Sequence, residues 1–209
     1  SRNMYIQPIL MTVINSFFTN TGKFVDYGGG YGVLVRMMRD AGYNFYRQDI
    51  YCENLFAAGF DVTDIEQNSK YELLTAFEVF EHLEQPLEEI EKMLIYSDCI
   101  FFSTELVPHK NANPDNWWYF VPETGQHIAL YSTKSLQVIA SKYKLNLYTN
   151  NKNLHLLTRK KISEARFKLV TSPRAAKVLA MLSKKPQSLL PSDFELLRSK
   201  YSNLTKEQH

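Results

Sequence analysis

The sequence predicts an α/β protein with an open, mostly parallel sheet, because short apolar runs alternate with amphipathic helical segments. The runs that predict strands lie at 23–27, 43–51, 71–77, 98–104, 145–149 and 154–160. The patterns that predict helices lie at 4–19, 33–41, 86–96 and 132–143. The last two strands are joined by a turn too short for a crossover, so one antiparallel strand is expected near the end.

Local signals support each helix in turn. The first helix carries apolar residues at helical spacing. The second is followed by Gly42, which suits a C-terminal cap. The third places its apolar residues on one face and its glutamates outward. The fourth begins after Ser132, whose hydroxyl suits an N-cap. Helices of this kind between the strands would cover both faces of the sheet.

Charge is distributed unevenly along the 209 residues. Residues 1–159 hold 13 Lys or Arg and 18 Asp or Glu, whereas residues 160–209 hold 11 and 4. We therefore expect one acidic domain over 1–160 and a basic helical extension over 161–209, broken at Pro173, Pro186 and Pro191. An acidic body makes nucleic acid an unlikely partner, since its affinity depends on neutralising phosphates.

The composition also limits the class of protein and the cellular location to be expected. With 44% hydrophobic residues the chain is globular rather than disordered. Cys52 and Cys99 cannot form a disulfide framework and are not spaced as a zinc pair, so a reducing, cytoplasmic location is expected. No run reaches the roughly 20 apolar residues of a membrane span, and residues 6–18 lack the features of a signal peptide. The oligomeric state is not readable from the sequence.

Four glycines lie within five residues between the first strand and the second helix, in the run D-Y-G-G-G-Y-G at 26–32. The run does not fit the dinucleotide pattern G-x-G-x-x-G, whose third glycine would fall at Val33, and it lacks the lysine of a P-loop. Asp49 lies at the end of the next strand, where a carboxylate can accept both ribose hydroxyls. Asp26 would repel a pyrophosphate and suit a cationic nucleoside cofactor. A plain strand-to-helix turn is the alternative.

These residues resemble the first motif and the ribose-binding acid of class I S-adenosylmethionine-dependent methyltransferases. The segment at 78–86 is similar to the E-V-x-E-H-x-x-x-P segment of the branch that includes the ubiquinone-pathway O-methyltransferases. The resemblance covers about residues 20–160. It implies a Rossmann-like, doubly wound sheet of seven strands, one of them antiparallel, and S-adenosylmethionine as cofactor.

The same resemblance implies a set of cofactor-binding residues. The glycine run would meet the amino-acid part of the cofactor, the acid and its neighbour after the second strand would hold ribose and adenine, and Phe77 would line the cleft. Asp61 is the expected adenine-proximal acid, with Asp64 as a competitor. The full set is Asp26, Gly28, Gly30, Gly32, Asp49, Ile50, Asp61 and Phe77.

Methyl transfer from a sulfonium to a hydroxyl requires alignment and removal of the hydroxyl proton by a base or a metal. Glu78, Glu81 and His82 share helical spacing, and His127 precedes the fourth helix in a loop that could cover them. We expect His82 and His127, with Glu81, to act as bases, or all four residues to hold a divalent metal. The alternatives are a helix-capping role for Glu81 and His82 and a structural hydrogen bond for His127.

Trp117 and Trp118 lie in a polar loop and predict a wall of the substrate site, with burial in the core as the alternative. The most consistent function is O-methylation of a small-molecule or sugar hydroxyl. A second candidate follows from the E-x-x-E-H segment and the later histidine, which resemble the magnesium-binding residues of small-RNA 2′-O-methyltransferases. A non-catalytic, cofactor-binding regulatory module is the third candidate.

Overall fold

The computed structural model describes residues 2–65, 70–108, 112–113, 115–123, 125–183 and 186–206. Its strands are β1 (Lys23–Tyr27), β2 (Asn44–Gln48), β3 (Leu73–Ala76), β4 (Cys99–Ser103), β5 (Asn146–Thr149) and β6 (Leu154–Thr158). Its helices are α1 (Arg2–Phe17), α2 (Val33–Asp40), α3 (Pro86–Tyr96), α4 (Thr133–Lys142), α5 (Glu164–Val170), α6 (Pro173–Leu182) and α7 (Leu190–Lys206).

The strands form one sheet in the order β2-β1-β3-β4-β6-β5. The first four strands of this order run parallel, and β6 is antiparallel to both of its neighbours. The predicted α/β class, the mostly parallel sheet and the antiparallel strand near the end are therefore confirmed.

The expected number of seven strands is wrong, since the described residues form six. Beyond β2, Asp61 makes only an isolated bridge to Arg47. A short 3-10 turn begins directly afterwards, at Val62, and Asp61 and Asp64 cap it reciprocally through side chain and backbone. This capping turns the chain away from the sheet after a single bridge, so no edge strand extends there.

Both faces of the sheet are covered. Every residue of β3, β4 and β6 is buried, and successive side chains in a strand point to opposite faces. Helices α1, α2, α5 and α6 pack together as one group. Helices α3 and α4 form a second group, in which Tyr143 after α4 donates a hydrogen bond to the carbonyl of Leu87 in α3. The apolar core lies on the two faces of the sheet, which leaves the strand ends available for a site.

The segment after residue 160 contains three helices, and the prolines lie mainly at their starts. Pro173 is the first residue of α6, and Pro191 lies in the first turn of α7 rather than breaking it. α5 and α6 pack against α1, and Arg39 of α2 pairs with Asp193 of α7. Within the described part of the chain, no helix is both long enough and apolar enough to cross a membrane.

Candidate active site

A cleft of about 470 Å³ opens at the carboxyl ends of β1, β2 and β3. The strand order changes direction at β1, and ligands of open α/β sheets bind in the crevice at such a point. Gly28, Asp49, Ile50, Glu78 and His82 are among the residues that line it. We call this space the cofactor cleft, because Asp49 and Ile50, which are expected to hold ribose and adenine, line it.

The glycine turn that follows β1 depends on backbone conformations that favour glycine. Gly28 has φ of 67° and donates its N–H to the carbonyl of Gln48 at 2.8 Å. A Cβ at Gly28 would lie 2.8 Å from a methyl group of Val79. Gly32, with φ of 85°, caps the start of α2. Gly28 lets the backbone lie close to the end of β2 and to the cleft, whereas the predicted Gly30 and Gly32 are not among the residues that line it.

Asp49 organises the turn after β2 through its carboxylate. Oδ2 accepts the N–H of Gly30 at 2.8 Å, and Oδ1 accepts the N–H groups of Tyr51 and Cys52 at 2.8 and 2.9 Å. Each carboxylate oxygen has two lone pairs, so Oδ2 keeps capacity for a ribose hydroxyl. Ile50 beside it is exposed on the cleft. Asp49 therefore links the glycine turn to the expected nucleoside position.

Asp26, in contrast, lies in the core beneath the turn. It is only 4% exposed, and its Oδ1 accepts the hydroxyl of Thr75 at 2.6 Å. Burial raises the pKa of Asp26 from 3.8 to about 6, although the Thr75 bond opposes this effect. The structure thus gives this acid a supporting position under the glycines instead of one on the cleft wall.

Asp61 and Phe77 do not lie among the residues that line the cofactor cleft. Asp61 accepts a 2.7 Å hydrogen bond from Nε of Arg47 and a 3.0 Å bond from Asn54, so its carboxylate is engaged in the loop. Asp64, the alternative acid, accepts the backbone N–H of Asp61 and pairs with Lys200. Phe77 is buried and lines a second cleft instead.

This second cleft, of about 300 Å³, lies at the carboxyl ends of β3 and β4. α1 contributes to it from one side, and the loop after β4 contributes from another. Glu78 lines both this cleft and the cofactor cleft, so the two spaces adjoin at this residue. We call the second space the acceptor cleft, because it adjoins the cofactor cleft at one point.

Glu78 has an unusual backbone conformation for a residue with a side chain, with φ of 56°. Ser103, at the end of β4, holds it by two hydrogen bonds of 2.8 Å. The Ser103 hydroxyl accepts the N–H of Glu78 and donates to its Oε1. Left-handed conformations of this kind recur at functional sites.

Three of the four expected catalytic or metal-binding residues come together. Glu81, His82 and His127 each place a ligand atom within 4.8 Å of the others, and we call them the Glu81–His82–His127 group. The carbonyl of Glu81 accepts the N–H groups of Ile128 and Ala129, which brings the loop of His127 onto the turn of Glu81. Glu78, the fourth expected metal ligand, is not part of this group.

The two histidines are oriented in the same way. Nδ1 of His82 lies 2.7 Å from the carbonyl of Gln126, and Nδ1 of His127 lies 2.7 Å from the carbonyl of Tyr119. A carbonyl only accepts, so each Nδ1 carries the proton and each Nε2 keeps its lone pair. The ring centroids lie 5.2 Å apart. Both histidines are thus set to accept a proton or bind a cation through Nε2.

Glu81 is the buried member of the group, with an exposed fraction of 0%. Neither carboxylate oxygen accepts a hydrogen bond of normal geometry from the described residues. Burial raises the pKa of Glu81, and the nearby Tyr119 hydroxyl offsets this only in part. A buried carboxylate without strong partners is costly, which indicates a proton or a cation as its complement.

The structure separates the two tryptophans. Trp117 is 8% exposed and stacks beside Tyr119, whereas Trp118 is 76% exposed and lines the acceptor cleft. Sequence reasoning did not identify Tyr5, Ser103, Glu105 or Tyr119 as lining residues of this cleft. Ser103 could have been found from its position at a strand end, but the others are brought in by a helix terminus and a long loop.

Comparison with protein families identifies the class of the chain. Residues 5–150 match the family described as "Methyltransferase domain", and the chain belongs to this family. It is a class I S-adenosylmethionine-dependent methyltransferase with a Rossmann-like fold, as its glycine turn and Asp49 predicted. The more specific likeness to ubiquinone-pathway enzymes stays a prediction. No functionally curated protein matches the sequence.

Solved structures of similar fold include other methyltransferases. The plantazolicin methyltransferase BpumL, solved with S-adenosylhomocysteine and a desmethyl-plantazolicin analogue, has a TM-score of 0.52 and 11% identity, over 76% of this chain and 84% of that one. The methyltransferase domain of the bacterial protein CtHen1 has a TM-score of 0.47 and 16% identity, over 73% and 98%. CalO1, a methyltransferase of calicheamicin biosynthesis, has a TM-score of 0.48 and 10% identity, over 75% and 54%.

Proposed function

We propose that the protein transfers the methyl group of S-adenosylmethionine to a hydroxyl oxygen of a small molecule or sugar. One observation carries this proposal, namely that Glu81, His82 and His127 converge at the wall of the cofactor cleft, which His82 lines. His82 lines the cofactor cleft, and His127 is bonded to Tyr119, which lines the acceptor cleft. A proton acceptor between cofactor and substrate is what a hydroxyl nucleophile requires.

In the proposed reaction the acceptor oxygen attacks the sulfonium methyl group in line with the carbon–sulfur bond. The oxygen–carbon bond forms, the carbon–sulfur bond breaks, and its electron pair stays on sulfur as S-adenosylhomocysteine. The hydroxyl proton passes to Nε2 of His127 or His82. The buried Glu81 carboxylate stabilises the resulting imidazolium charge. The two clefts share Glu78, and binding in them would position the acceptor oxygen in line with the methyl group, which also accelerates transfer.

A metal-assisted form of the same reaction is the second candidate, because two imidazole nitrogens and a buried carboxylate converge. This donor set fits a first-row transition ion better than magnesium, which prefers an oxygen shell. A bound divalent ion would lower the pKa of the acceptor hydroxyl. Glu81, His82 and His127 would hold it. The Nδ1 contacts of the two histidines with backbone carbonyls would orient their rings.

RNA 2′-O-methylation is a less favoured version of that candidate. Glu78 and Glu105 give the acceptor cleft two carboxylates, which would repel a phosphate backbone. The convergence of Glu81, His82 and His127 beside the cofactor cleft favours an enzyme over a non-catalytic module. A cytoplasmic location is retained as part of the proposal, and the free thiols of Cys52 and Cys99 support it.

The test is transfer from isotopically labelled S-adenosylmethionine to a panel of hydroxyl compounds. We expect His127→Ala to lower kcat by roughly 10²- to 10⁴-fold while cofactor affinity measured by calorimetry stays unchanged. Full activity of His127→Ala and His82→Ala, or cofactor binding without transfer to any acceptor, would overturn the proposal.

The base and metal forms are separated by treatment with a chelator. Activity that survives the chelator and is lowered but not abolished in Glu81→Gln supports proton transfer to histidine. Activity that is lost and then restored by Mn²⁺, with Glu81→Gln inactive at every metal concentration, supports the metal form.

A further inference from the structure

The acceptor cleft presents aromatic side chains that the protein itself does not cover. Trp118 is 76% exposed and Tyr5 is 42% exposed, yet both line a concave space, beside the buried Phe77. Exposed apolar surface within a cleft marks a ligand-binding position. The aromatic ring carries negative charge on its face, which attracts the polarised C–H groups of a ligand.

The polar groups of this cleft both donate and accept hydrogen bonds, since Arg2, Tyr5 and Asn153 line it with donors beside two carboxylates. Glu78 and Glu105 contribute ionisable carboxylates, and carboxylates accept but do not donate. Ser103 is already bonded to Glu78 on the same wall. A ligand that complements both kinds of group must therefore bring several hydroxyls, each of which donates and accepts, as a polyol does. A phenol offers one hydroxyl group, and a catechol offers two.

Charge in the cleft argues against an anionic group at the reacting position. Arg2 is the single cationic side chain among the described residues that line the cleft, against the two carboxylates of Glu78 and Glu105. A further negative charge from the ligand would be repelled at this point.

A wider groove of about 710 Å³ lies beside the acceptor cleft. Glu105 and Asn153 line both spaces, so the two are neighbours. The wider groove also carries Lys134 and Lys152, whose ammonium groups supply donors. A single hydroxylated ring would leave this groove empty, whereas a chain of such rings would occupy it.

We propose that the acceptor is an oligosaccharide, whose reacting unit is a neutral sugar stacked on Trp118 and whose next units lie in the groove of Lys134 and Lys152. This inference rests on the proposed O-methylation. A sugar unit presents C–H groups on a face and hydroxyl donors at its rim, which match the aromatic and carboxylate walls respectively.

The experiment compares acceptors in the labelled methyl-transfer assay with the full chain. The probes are methyl glycosides of neutral hexoses and deoxyhexoses, their di- to tetrasaccharides, methyl glycosides of uronic acids, catechol, and a short single-stranded RNA. We expect transfer to a neutral sugar and a KM that falls from monosaccharide to tetrasaccharide. Transfer to uronic acids alone, or a KM independent of chain length, would overturn the inference.

Variants separate stacking from general damage. We expect Trp118→Ala to raise the KM for the sugar by about tenfold with unchanged cofactor affinity. Trp118→Phe keeps an aromatic ring, so its KM should lie close to that of the parent protein. Lys152→Ala should raise the KM of the tetrasaccharide but leave that of the monosaccharide unaltered. If Trp118→Ala or Lys152→Ala has no effect on KM, the assigned surface is wrong.

Failure of this inference is distinguishable from failure of the proposed function. Transfer to catechol but to no sugar leaves hydroxyl methylation standing and overturns the sugar assignment. Transfer only to RNA assigns the acceptor to nucleic acid and likewise overturns it. The absence of transfer to every hydroxyl compound counts against the proposed function itself and, with it, the inference.

Discussion

Asp193 accepts two hydrogen bonds from the guanidinium of Arg39, at 2.8 Å from Nε and 2.6 Å from Nη2. The two residues lie 154 positions apart, and both are buried. Arg39 also lies 3.8 Å over the ring of Phe60 and donates to the carbonyl of Phe45. A buried arginine needs such a complete set of partners, so this pair fixes α7 against the sheet domain.

Removal of the carboxylate should therefore destabilise the whole protein. We expect Asp193→Ala to lower the free energy of unfolding by about 3–5 kcal/mol, since it leaves a buried charge unpaired. Urea denaturation followed by circular dichroism measures this. Lys200→Ala is the matched control on α7, because its pair with Asp64 is exposed and worth at most about 1 kcal/mol. Equal losses in the two variants would contradict the assigned role of the buried pair.

Asp49 carries the prediction on cofactor affinity. We expect Asp49→Ala to weaken S-adenosylmethionine binding by about 1.5–3 kcal/mol, the scale of a hydrogen bond to a charged acceptor. Isothermal titration calorimetry measures the change. Asp61→Asn is the control, because Asp61 pairs with Arg47 outside the cofactor cleft, and we expect a loss of stability with unchanged affinity. The reverse ranking would show that Asp61 is the ligand and Asp49 is structural.

Two glycines of the same turn make a matched pair for stability. A Cβ at Gly28 would contact Val79 at 2.8 Å, whereas a Cβ at Gly30 would meet no atom within 4 Å. Both have positive φ, so Gly30→Ala should cost about 1–2 kcal/mol from backbone strain alone. Gly28→Ala should cost about 1–3 kcal/mol more because it also overpacks the site. Thermal unfolding without cofactor measures both, and equal costs would exclude the contact with Val79.

Two buried groups should make stability depend on pH in opposite directions. Burial lowers the pKa of His155 from 6.5 to about 4. The unfolded chain then binds more protons, so stability rises by about 3 kcal/mol as pH increases from 4 to 6.5. Burial raises the pKa of Asp26 from 3.8 to about 6. Here the folded chain binds more protons, so stability falls by about 3 kcal/mol between pH 4 and 6.

Variants reveal the two opposing contributions, because each variant removes one of them between pH 4 and 6. We expect Asp26→Asn to leave the His155 contribution alone, so that stability rises with pH across that range relative to the parent. His155→Gln should leave the Asp26 contribution and give a fall. Chemical denaturation at a series of pH values provides the curves. Parallel curves for the parent and both variants would contradict the assigned titrations.

Local sequence signals predicted most of the fold. Ser132 accepts the N–H of Ser135 as an N-cap, and β1 and α3 occupy the expected residues, since each depends on neighbours in the chain. The strand count failed because Asp61 and Asp64 form a turn that competes with strand pairing. The docking of α7 was not predictable, because the ion pair of Arg39 joins residues with no sequence relationship.

The sequence predicted the type of site but not all of its contacts. The proximity of Glu81 and His82 follows from their adjacent positions, which lie on one turn. It could not show that Asp61 is engaged by Arg47, because that contact depends on how the loop after β2 folds back. Nor could it distinguish the buried Trp117 from the exposed Trp118, since a loop without period gives neighbouring residues no preferred side.

Glu78 shows a conflict between folding and chemistry at a single position. Its left-handed backbone costs about 1–2 kcal/mol that glycine would not incur. Folding alone would thus favour a glycine where the two clefts meet. Glu78→Gly should relieve this strain but lose the Ser103 hydrogen bond to the carboxylate, and we expect slower methyl transfer, so a search for thermostable variants that replaced this residue would select a slower enzyme.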